Sequence, residues 1–389
     1  MAAAKSPAAA PVDWTRYARQ TILPEVGRGG QARLARSRVL LVGAGGLGAP
    51  AALYLAAAGV GHLRLVDDDR VERSNLHRQV LYTDADAGRL KVEVAAERLG
   101  ALNPDVHLEP HAARFEPGNA FDLLEGCDLV LDGTDVFATR YLVNDASVLA
   151  GVPNVFASVS RFEGQASVFG LVGAEGRRGP CYRCVFPEPP PEGLVPSCAE
   201  GGVLGVLPGL LGLVQATEAL KLLLGAGTPL AGRLLLFDTL GMRSRTLRLE
   251  RDPACAVCGD APTITTLTPT AVSCSAPVAP SPIPEISPRD LEARLKSPDA
   301  PFVLDVRRPD EYAIANIGGA LIPLDELPDR LGELEEHRGD PMFVVMCRSG
   351  ARSGKAVELL HAHGFTNAVN LRGGILAWSD DVDPAVPRY

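Results

Sequence analysis

The stretch RVLLVGAGGLGAP, Arg38 to Pro50, decides the fold. Val39 to Val42 form the short Val- and Leu-rich run expected of a parallel strand buried on both faces, and Ala49 to Ala58 have the composition of a helix. Between them the glycines at 43, 45 and 48 fit G-x-G-x-x-G, with Gly46 inside the loop. Such glycines permit a tight turn and let the backbone approach a pyrophosphate. They also leave bare amides at a helix N-terminus, where the helix dipole favours an anion. Pro50 falls in the first helical turn, where it is tolerated. The pattern predicts strand, phosphate loop and helix in an α/β domain that takes a nucleotide. NAD enzymes share the motif, so the residues beyond it must decide which nucleotide chemistry follows.

At 389 residues the chain is long for one core, and two domains are expected. A hydrophobic content of 46% with 22% charged residues describes a soluble globular protein. The longest apolar run, Val203 to Val214, is interrupted by Pro208 and three glycines, and it falls short of the roughly 20 residues a membrane span needs. The opening MAAAKSPAAAP lacks the apolar segment of a secretory signal, so a loose, cytoplasmic start is expected. A net charge of −9 argues against a general nucleic-acid binder. Of eight cysteines, four form two CxxC pairs, a pattern that favours metal and catalysis over disulfides.

Past the glycine loop, His62 to Val66 read as a second strand that delivers Asp67, Asp68 and Asp69 at its carboxyl end, where open α/β sheets bind ligands. Asp67 suits a ribose hydroxyl in a dehydrogenase or an ATP enzyme alike. Ser74-Asn75-Leu76-His77-Arg78-Gln79 follows, then Lys91 early in a periodic helix that stops at Asn103-Pro104. Hydride transfer has little use for Arg78 and Lys91. A triphosphate does, because its transferring phosphorus needs charge neutralised in the transition state. A buried strand at Leu129 to Leu131 leads into Asp132-Gly133-Thr134-Asp135, where Asp135 suits Mg²⁺ or, more blandly, a polar turn.

Together RYARQ at 16–20, GAGGLG at 43–48, Asp67 with Asp69, SNLHRQ at 74–79, Lys91, DGTD at 132–135 and RFEGQASVF at 161–169 resemble the ubiquitin-activating-enzyme-like superfamily. The likeness is to its bacterial adenylyltransferase branch, which activates ubiquitin-like sulfur carriers, and it spans residues 13–268. It implies a Rossmann-like adenylating domain with ATP held around Gly43, Gly45, Gly46, Asp67, Asp69, Ser74, Asn75, Leu76, His77, Arg78 and Lys91. It further implies Mg²⁺ on Asp135 and a homodimer in which Arg19 reaches the neighbouring subunit's site. The family usually has Asn after that aspartate, and Val136 stands here.

Cys181-Tyr-Arg-Cys184 and Cys255-Ala-Val-Cys258 suit a closed, structural tetrahedral Zn²⁺ site. A redox CxxC is disfavoured, since neither pair opens a helix beside a thioredoxin-like βαβ pattern. Between the pairs, the proline-rich Pro187 to Gly193 reads as an extended crossover ending near Cys198. Cys198 precedes a helix-like segment that would lower its pKa. In the family this position matches a cysteine that bonds covalently to the carrier's activated carboxyl end; a buried apolar cysteine is the alternative, and it is preferred for Cys127. From Ala261 to Pro284 Thr, Pro, Ala and Ser dominate, so a linker is expected, placed at 269–284, with Cys274 inside it.

From residue 285 to 389 a smaller α/β unit follows, with a helix at Pro288 to Lys296 and strands at Phe302 to Val306 and Met342 to Met346. The last strand delivers Cys347-Arg348-Ser349-Gly350-Ala351-Arg352-Ser353, and a helix is expected from Gly354 to Ala362. A cysteine in a loop of convergent amides with two arginines stabilises a thiolate or persulfide, and a cysteine phosphatase uses a similar cradle. LDVRRPDEY at 304–312, NIGGALIPL at 316–324, CRSGARS and LRGGILAW at 371–378 resemble the rhodanese family. The short loop matches its sulfurtransferases, and the resemblance makes Cys347 the persulfide carrier.

The two resemblances imply one reaction sequence. The first domain adenylates the C-terminal Gly-Gly carboxylate of a small ubiquitin-like carrier, and a persulfide on Cys347 then supplies sulfur to give a thiocarboxylate. The sulfur would come from a cysteine desulfurase or thiosulfate. Fusions of this kind resemble the bifunctional molybdopterin-synthase adenylyltransferase/sulfurtransferases, whose relatives also serve thiamine, cysteine, thiolated-tRNA and secondary-metabolite pathways. Two other readings compete. An NAD-dependent oxidoreductase leaves Arg78, Lys91 and the second domain without roles, and a non-catalytic scaffold for a ubiquitin-like partner predicts no ATP turnover.

Overall fold

The computed structural model describes residues 12–173, 176–189, 202–268 and 283–388. The chain divides into two compact units, Met1–Cys274 and Ser275–Tyr389.

The first unit is built on an eight-stranded sheet of order β3-β2-β1-β4-β5-β6-β7-β8. Its strands are β1 Arg38–Val42, β2 His62–Val66, β3 His107–His111, β4 Leu129–Asp132, β5 Asn154–Ser160, β6 Glu163–Phe169, β7 Arg233–Asp238 and β8 Arg243–Arg248. The strands from β3 to β5 are parallel and those from β5 to β8 antiparallel. β1 lies at the centre of the parallel half, with Val42 opposite Val66 on one side and Asp132 on the other. Three strands thus end level with one another, and the loops that follow them open on one edge. The four residues Val39 to Val42 are buried, as a strand covered on both faces requires.

Among the described residues, the long helices that cover the sheet are α1 Gly48–Ala57, α2 Lys91–Leu102, α3 Phe137–Ala150 and α4 Val206–Leu224. α1 starts against the loop it caps. A Cβ at Gly48 would lie 1.8 Å from the carbonyl oxygen of Gly43, so only glycine closes this turn. α4 runs unbroken through Pro208, which sits in its first turn, and carries the apolar run past Val214 to Leu224. It is long and apolar enough to cross a membrane by length and composition, but it packs against α1, β5 and β6. Buried Gln215 donates to the carbonyls of Asp132 (2.7 Å) and Val155 (2.9 Å), and buried Glu218 accepts from Leu230 N–H at 2.7 Å. Those polar anchors mark a core helix.

The packing of the first unit continues past Ala261. Thr263 and Ile264 both donate to the Ala256 carbonyl, and Ile264 and Leu267 pack on the first unit's core.

The second unit is a five-stranded parallel sheet. Its strands β9 Glu285–Ile286, β10 Phe302–Asp305, β11 Ala320–Leu321, β12 Phe343–Met346 and β13 Ala368–Leu371 lie in the order β11-β10-β12-β13-β9. The helices that concern its site are α5 Pro309–Ile314, α6 Ala351–Ala362 and α7 Gly374–Asp381. α6 starts three residues before the expected Gly354, so Ala351, Arg352 and Ser353 of the cysteine loop belong to its first turn. β12, the central strand, is fully buried and ends at Cys347.

Candidate active sites

The loops after β1, β2 and β4 enclose a cleft of about 460 Å³. Gly43, Gly45, Gly46, Asp67, Asp69, Asn75, Arg78, Lys91 and Asp135 line it together. Asp67 braces the glycine loop: its Oδ2 accepts from Ala44 N–H at 2.7 Å and its Oδ1 from Asp69 N–H at 2.8 Å. Burial raises its pKa, against the opposing pull of Lys91 and the two amides. Tyr82 holds the same loop from behind by donating its hydroxyl to the Ala44 carbonyl at 2.6 Å. Lys91, buried at the start of α2, reaches Asp69 Oδ2 at 2.7 Å.

Arg78 is framed rather than free. It donates to Asn75 Oδ1 at 2.6 Å, to the Ser74 carbonyl at 3.3 Å and to His77 Nε2 at 3.0 Å. Burial and the guanidinium both lower the His77 pKa, so the ring stays neutral and can accept. Ser74, Leu76 and His77 do not line the cleft; a 3₁₀ turn at Arg73–Asn75 directs them elsewhere. Asp135 is exposed at the rim and has no partner among the described residues, while Asp132 lies fully buried beneath it. Asp132 Oδ1 accepts from both Thr134 N–H (3.0 Å) and its hydroxyl (2.7 Å), which sets the turn that carries Asp135.

Arg19 stands exposed on the short helix Ala18–Thr21 and is absent from the cleft of its own chain. Its neighbour Tyr17 is buried and accepts from Asn103 Nδ2 at 2.7 Å. The cleft also takes Glu72, Gln79, Thr134, Val136 and Thr139, none singled out as binding from the sequence. Gln79 and Thr134 lie inside motifs already quoted, which was the available signal.

Cys181, Cys184, Cys255 and Cys258 converge, with all four sulfurs within 4.8 Å of one another. The distances Cys181–Cys255, Cys184–Cys258 and Cys181–Cys184 are 3.6, 3.3 and 3.8 Å. A tetrahedral zinc with bonds of about 2.3 Å separates its sulfurs by ~3.8 Å, so these residues fit the ion. Cys181 opens a helix, Tyr182–Val185. That helix has four residues and follows an antiparallel strand, so it is no thioredoxin-like crossover. Cys127 is buried, its thiol donating to the Leu123 carbonyl, and burial pushes it up to about 11. Cys198 and Cys274 lie outside the described residues.

In the second unit the Cys347 thiol is fully buried. Gly350 N–H donates to its sulfur at 3.2 Å, and Ser353 Oγ lies 3.3 Å away. The first amides of α7 hold the loop's carbonyls, Ile375 N–H on Cys347 and Leu376 N–H on Arg348. A Cβ at Gly374 (φ +60°) would meet the Cys347 carbonyl at 2.4 Å, so glycine is what lets α7 seat there. Arg352 is bound by both carboxylate oxygens of Glu311 on α5, at 2.6 and 2.7 Å, while Arg348 and Ser349 form the outer part of the loop.

Residues 17–257 match the model of the ThiF family, and residues 287–381 match that of the rhodanese-like domain. The chain belongs to the ThiF family. The rhodanese-like match follows the ThiF match, and some relatives are similar across both. One is the probable adenylyltransferase/sulfurtransferase MoeZ of Mycobacterium tuberculosis, 46% identical over 381 residues, covering 96% of this chain and 95% of MoeZ. The adenylyltransferase and sulfurtransferase MOCS3 of Bos taurus is 45% identical, over 96% of this chain and 87% of that one. The ThiF part alone is 57% identical to the sulfur carrier protein adenylyltransferase of Thermus thermophilus, over 64% of this chain and 92% of that one. Among solved structures, E. coli MccB with ATP superposes with a TM-score of 0.54 at 21% identity, over 62% of this chain and 74% of that one, a likeness of fold.

Proposed function

We propose that this ThiF-family protein is an enzyme of two activities, which adenylates the C-terminal Gly-Gly carboxylate of a ubiquitin-like sulfur-carrier protein and then replaces its oxygen by sulfur. The observation that carries the reading is the meeting of Arg78, Lys91, the glycine loop and Asp135 in one cleft, in a chain that also holds Cys347 in an amide-lined loop.

A carboxylate does not yield to sulfur because oxide is a poor leaving group. Attack of the carrier carboxylate on the α-phosphorus of ATP gives an acyl-adenylate and pyrophosphate, and AMP then leaves readily. Arg78 and Lys91 supply positive charge where the transferring phosphorus and leaving pyrophosphate gather negative charge. The loop amides of Gly45 and Gly46 take the phosphates, those of Gly43 and Ala44 being held by Val66 and Asp67, and Asp67 takes the ribose side. Asp135 offers a carboxylate that would hold a Mg²⁺, and the ion would supply further positive charge to the triphosphate. Arg19, exposed and outside its own chain's cleft, suits delivery to a second copy in a homodimer.

In the second reaction a persulfide on Cys347 attacks the acyl carbon and displaces AMP. The carrier is then joined to Cys347 through an acyl disulfide, and a second thiol releases the thiocarboxylate by forming a disulfide with Cys347. Cys198 is the thiol proposed to hold or release the carrier, on its place in the sequence. Once a reducing thiol has freed Cys347 from that disulfide, a cysteine desulfurase or thiosulfate would reload it, and the four-cysteine zinc site is structural. ATP, a carrier and free thiols together suit a cytoplasmic protein.

ATP/pyrophosphate exchange tests the first half. Exchange is expected only with a carrier ending in Gly-Gly, and lost in Asp135→Ala. Exchange without any carrier, or undiminished in that variant, would overturn the assignment.

A further inference from the structure

The sulfur of Cys347 ends a hydrogen-bonded chain that leads back to the strand by which the polypeptide enters the second unit. Cys347 and Ser353 are fully buried, Asn370 on β13 is 5% exposed, and Glu285 stands exposed at the start of β9. Ser353 Oγ lies 3.3 Å from Cys347 Sγ, 3.2 Å from the Gly350 carbonyl and 2.6 Å from Asn370 Oδ1. Asn370 Nδ2 donates to Glu285 Oε1 at 2.9 Å, and its backbone N–H donates to the Pro284 carbonyl at 2.8 Å.

The direction of this chain follows from what each group can do. A carboxylate only accepts, so the Asn370 amide must turn its NH₂ toward Glu285 and its carbonyl toward Ser353. Ser353 has a single hydrogen, and the carbonyl at 2.6 Å takes it ahead of the two longer contacts. The serine oxygen then presents lone pairs to Cys347. That arrangement accepts a neutral S–H and opposes a thiolate, leaving Gly350 N–H as the donor on the sulfur.

We propose that Asn370, oriented by Glu285, is a positioning residue that withholds the Ser353 hydrogen from Cys347 and so guards the buried thiol. Release of the Glu285 contact lets the amide turn over; its NH₂ then donates to Ser353 Oγ, the hydroxyl swings its hydrogen onto the sulfur, and the thiol proton passes to solvent. Only hydrogen bonds and that one proton move. The relay ties sulfur reactivity to the seating of β9, and its use, though not its geometry, rests on the sulfur-transfer reading. Other charged or titratable side chains on the loop and on the elements beside it include Arg348, Arg352 with Glu311, the buried Asp305–Arg307 pair at the end of β10, Lys355, Glu358 and His361 on α6, Asp310 on α5, Arg372 after β13 and Asp380 and Asp381 on α7.

The test is the rate of iodoacetamide alkylation of Cys347 in the full reduced chain against pH, read by mass spectrometry of the peptide that contains it. Glu285→Ala, at an exposed position, is expected to alkylate roughly three- to tenfold faster at neutral pH, with its profile moved to lower pH. Glu285→Gln keeps an acceptor and should restore the parental profile. Adding Ser353→Ala to Glu285→Ala should remove the gain, because the donor is gone. Parental rates in Glu285→Ala at every pH, or a gain that survives loss of Ser353, would overturn the relay. Thiosulfate-to-cyanide sulfur transfer by the parent reports on the sulfur-transfer reading alone. A silent parent with a shifted Glu285→Ala profile supports the relay and strikes that reading.

Discussion

Lys91 Nζ donates to Asp69 Oδ2 at 2.7 Å, joining a lysine side chain that is 5% exposed to an aspartate that is 67% exposed. The pair is lopsided: the cation is fixed inside the cleft wall and the carboxylate can swing away into water. Incoming phosphate oxygens can therefore take over the lysine without leaving a buried charge unpaired.

Lys91→Met keeps the aliphatic stem and leaves only an exposed carboxylate behind. Its melting temperature is expected to stay near the parent's, while carrier-dependent pyrophosphate exchange falls by roughly a hundredfold or more. Asp69→Asn should do the reverse in part, lowering stability by about 1–3 kcal/mol because the buried ammonium loses its counter-charge. Thermal unfolding and exchange rates, measured side by side, separate the two.

Glu109 on β3 is the second electrostatic hub. Burial pushes its carboxyl up, but hydrogen bonds from His111, Arg64 and His62 outweigh this and set it at about 2. A carboxyl depressed below its unfolded value stabilises fully above that value, and the contribution is lost as pH falls from about 4.5 toward 2. Glu109→Gln should cost about 2–3 kcal/mol at neutral pH, and the difference from the parent should shrink across that window. Urea midpoints against pH check this; a constant difference would contradict it.

The four cysteines make a prediction about the metal. Contacts with Cys184 and Cys258, together with burial, raise the Cys181 pKa, while the same contacts lower that of Cys184; four sulfurs this close cannot all be ionised unless a cation neutralises them. Cys255→Ser is expected to lose bound zinc in metal analysis and to melt roughly 6–12 °C lower, the equivalent of about 3 kcal/mol. A parent purified without zinc, or a variant of unchanged melting temperature, would remove the ion from the account.

Val136 lines the cleft beside Asp135 and is 55% exposed. An amide there gains about 1 kcal/mol from one added hydrogen bond, so Val136→Asn should lower the KM for ATP by about fivefold with kcat little changed. Initial-rate measurements over a range of ATP concentrations decide it.

Legibility in the sequence followed burial and punctuation. β1 and β4 were readable as short apolar runs and β2, HLRLV, by its leucines and valine; each stops at glycine or aspartate, and those stops are the cleft. β3, HLEPH, was not, since it is a half-exposed edge with a proline and no apolar run. β8, RSRTLR, is exposed at every residue and carries no alternation, so this edge of the sheet was invisible. Within the site, Arg78 and Asn75 were legible by chemistry, but nothing in SNLHRQ says that Ser74 and His77 turn back to frame the arginine. Likewise α6 begins early because Gly350, at φ +92°, makes the turn itself, a backbone property that residue types in the loop did not announce.

The most direct test of the account is the mass of the carrier's C-terminus after incubation with this protein, ATP, Mg²⁺, a sulfur donor and a mild reductant. The account predicts one oxygen replaced by sulfur, dependent on ATP. Asp135→Ala should abolish the product and pyrophosphate exchange together; Cys347→Ser should abolish the product while exchange persists. Thiocarboxylate formed at the parental rate by Cys347→Ser, or without ATP, would contradict it.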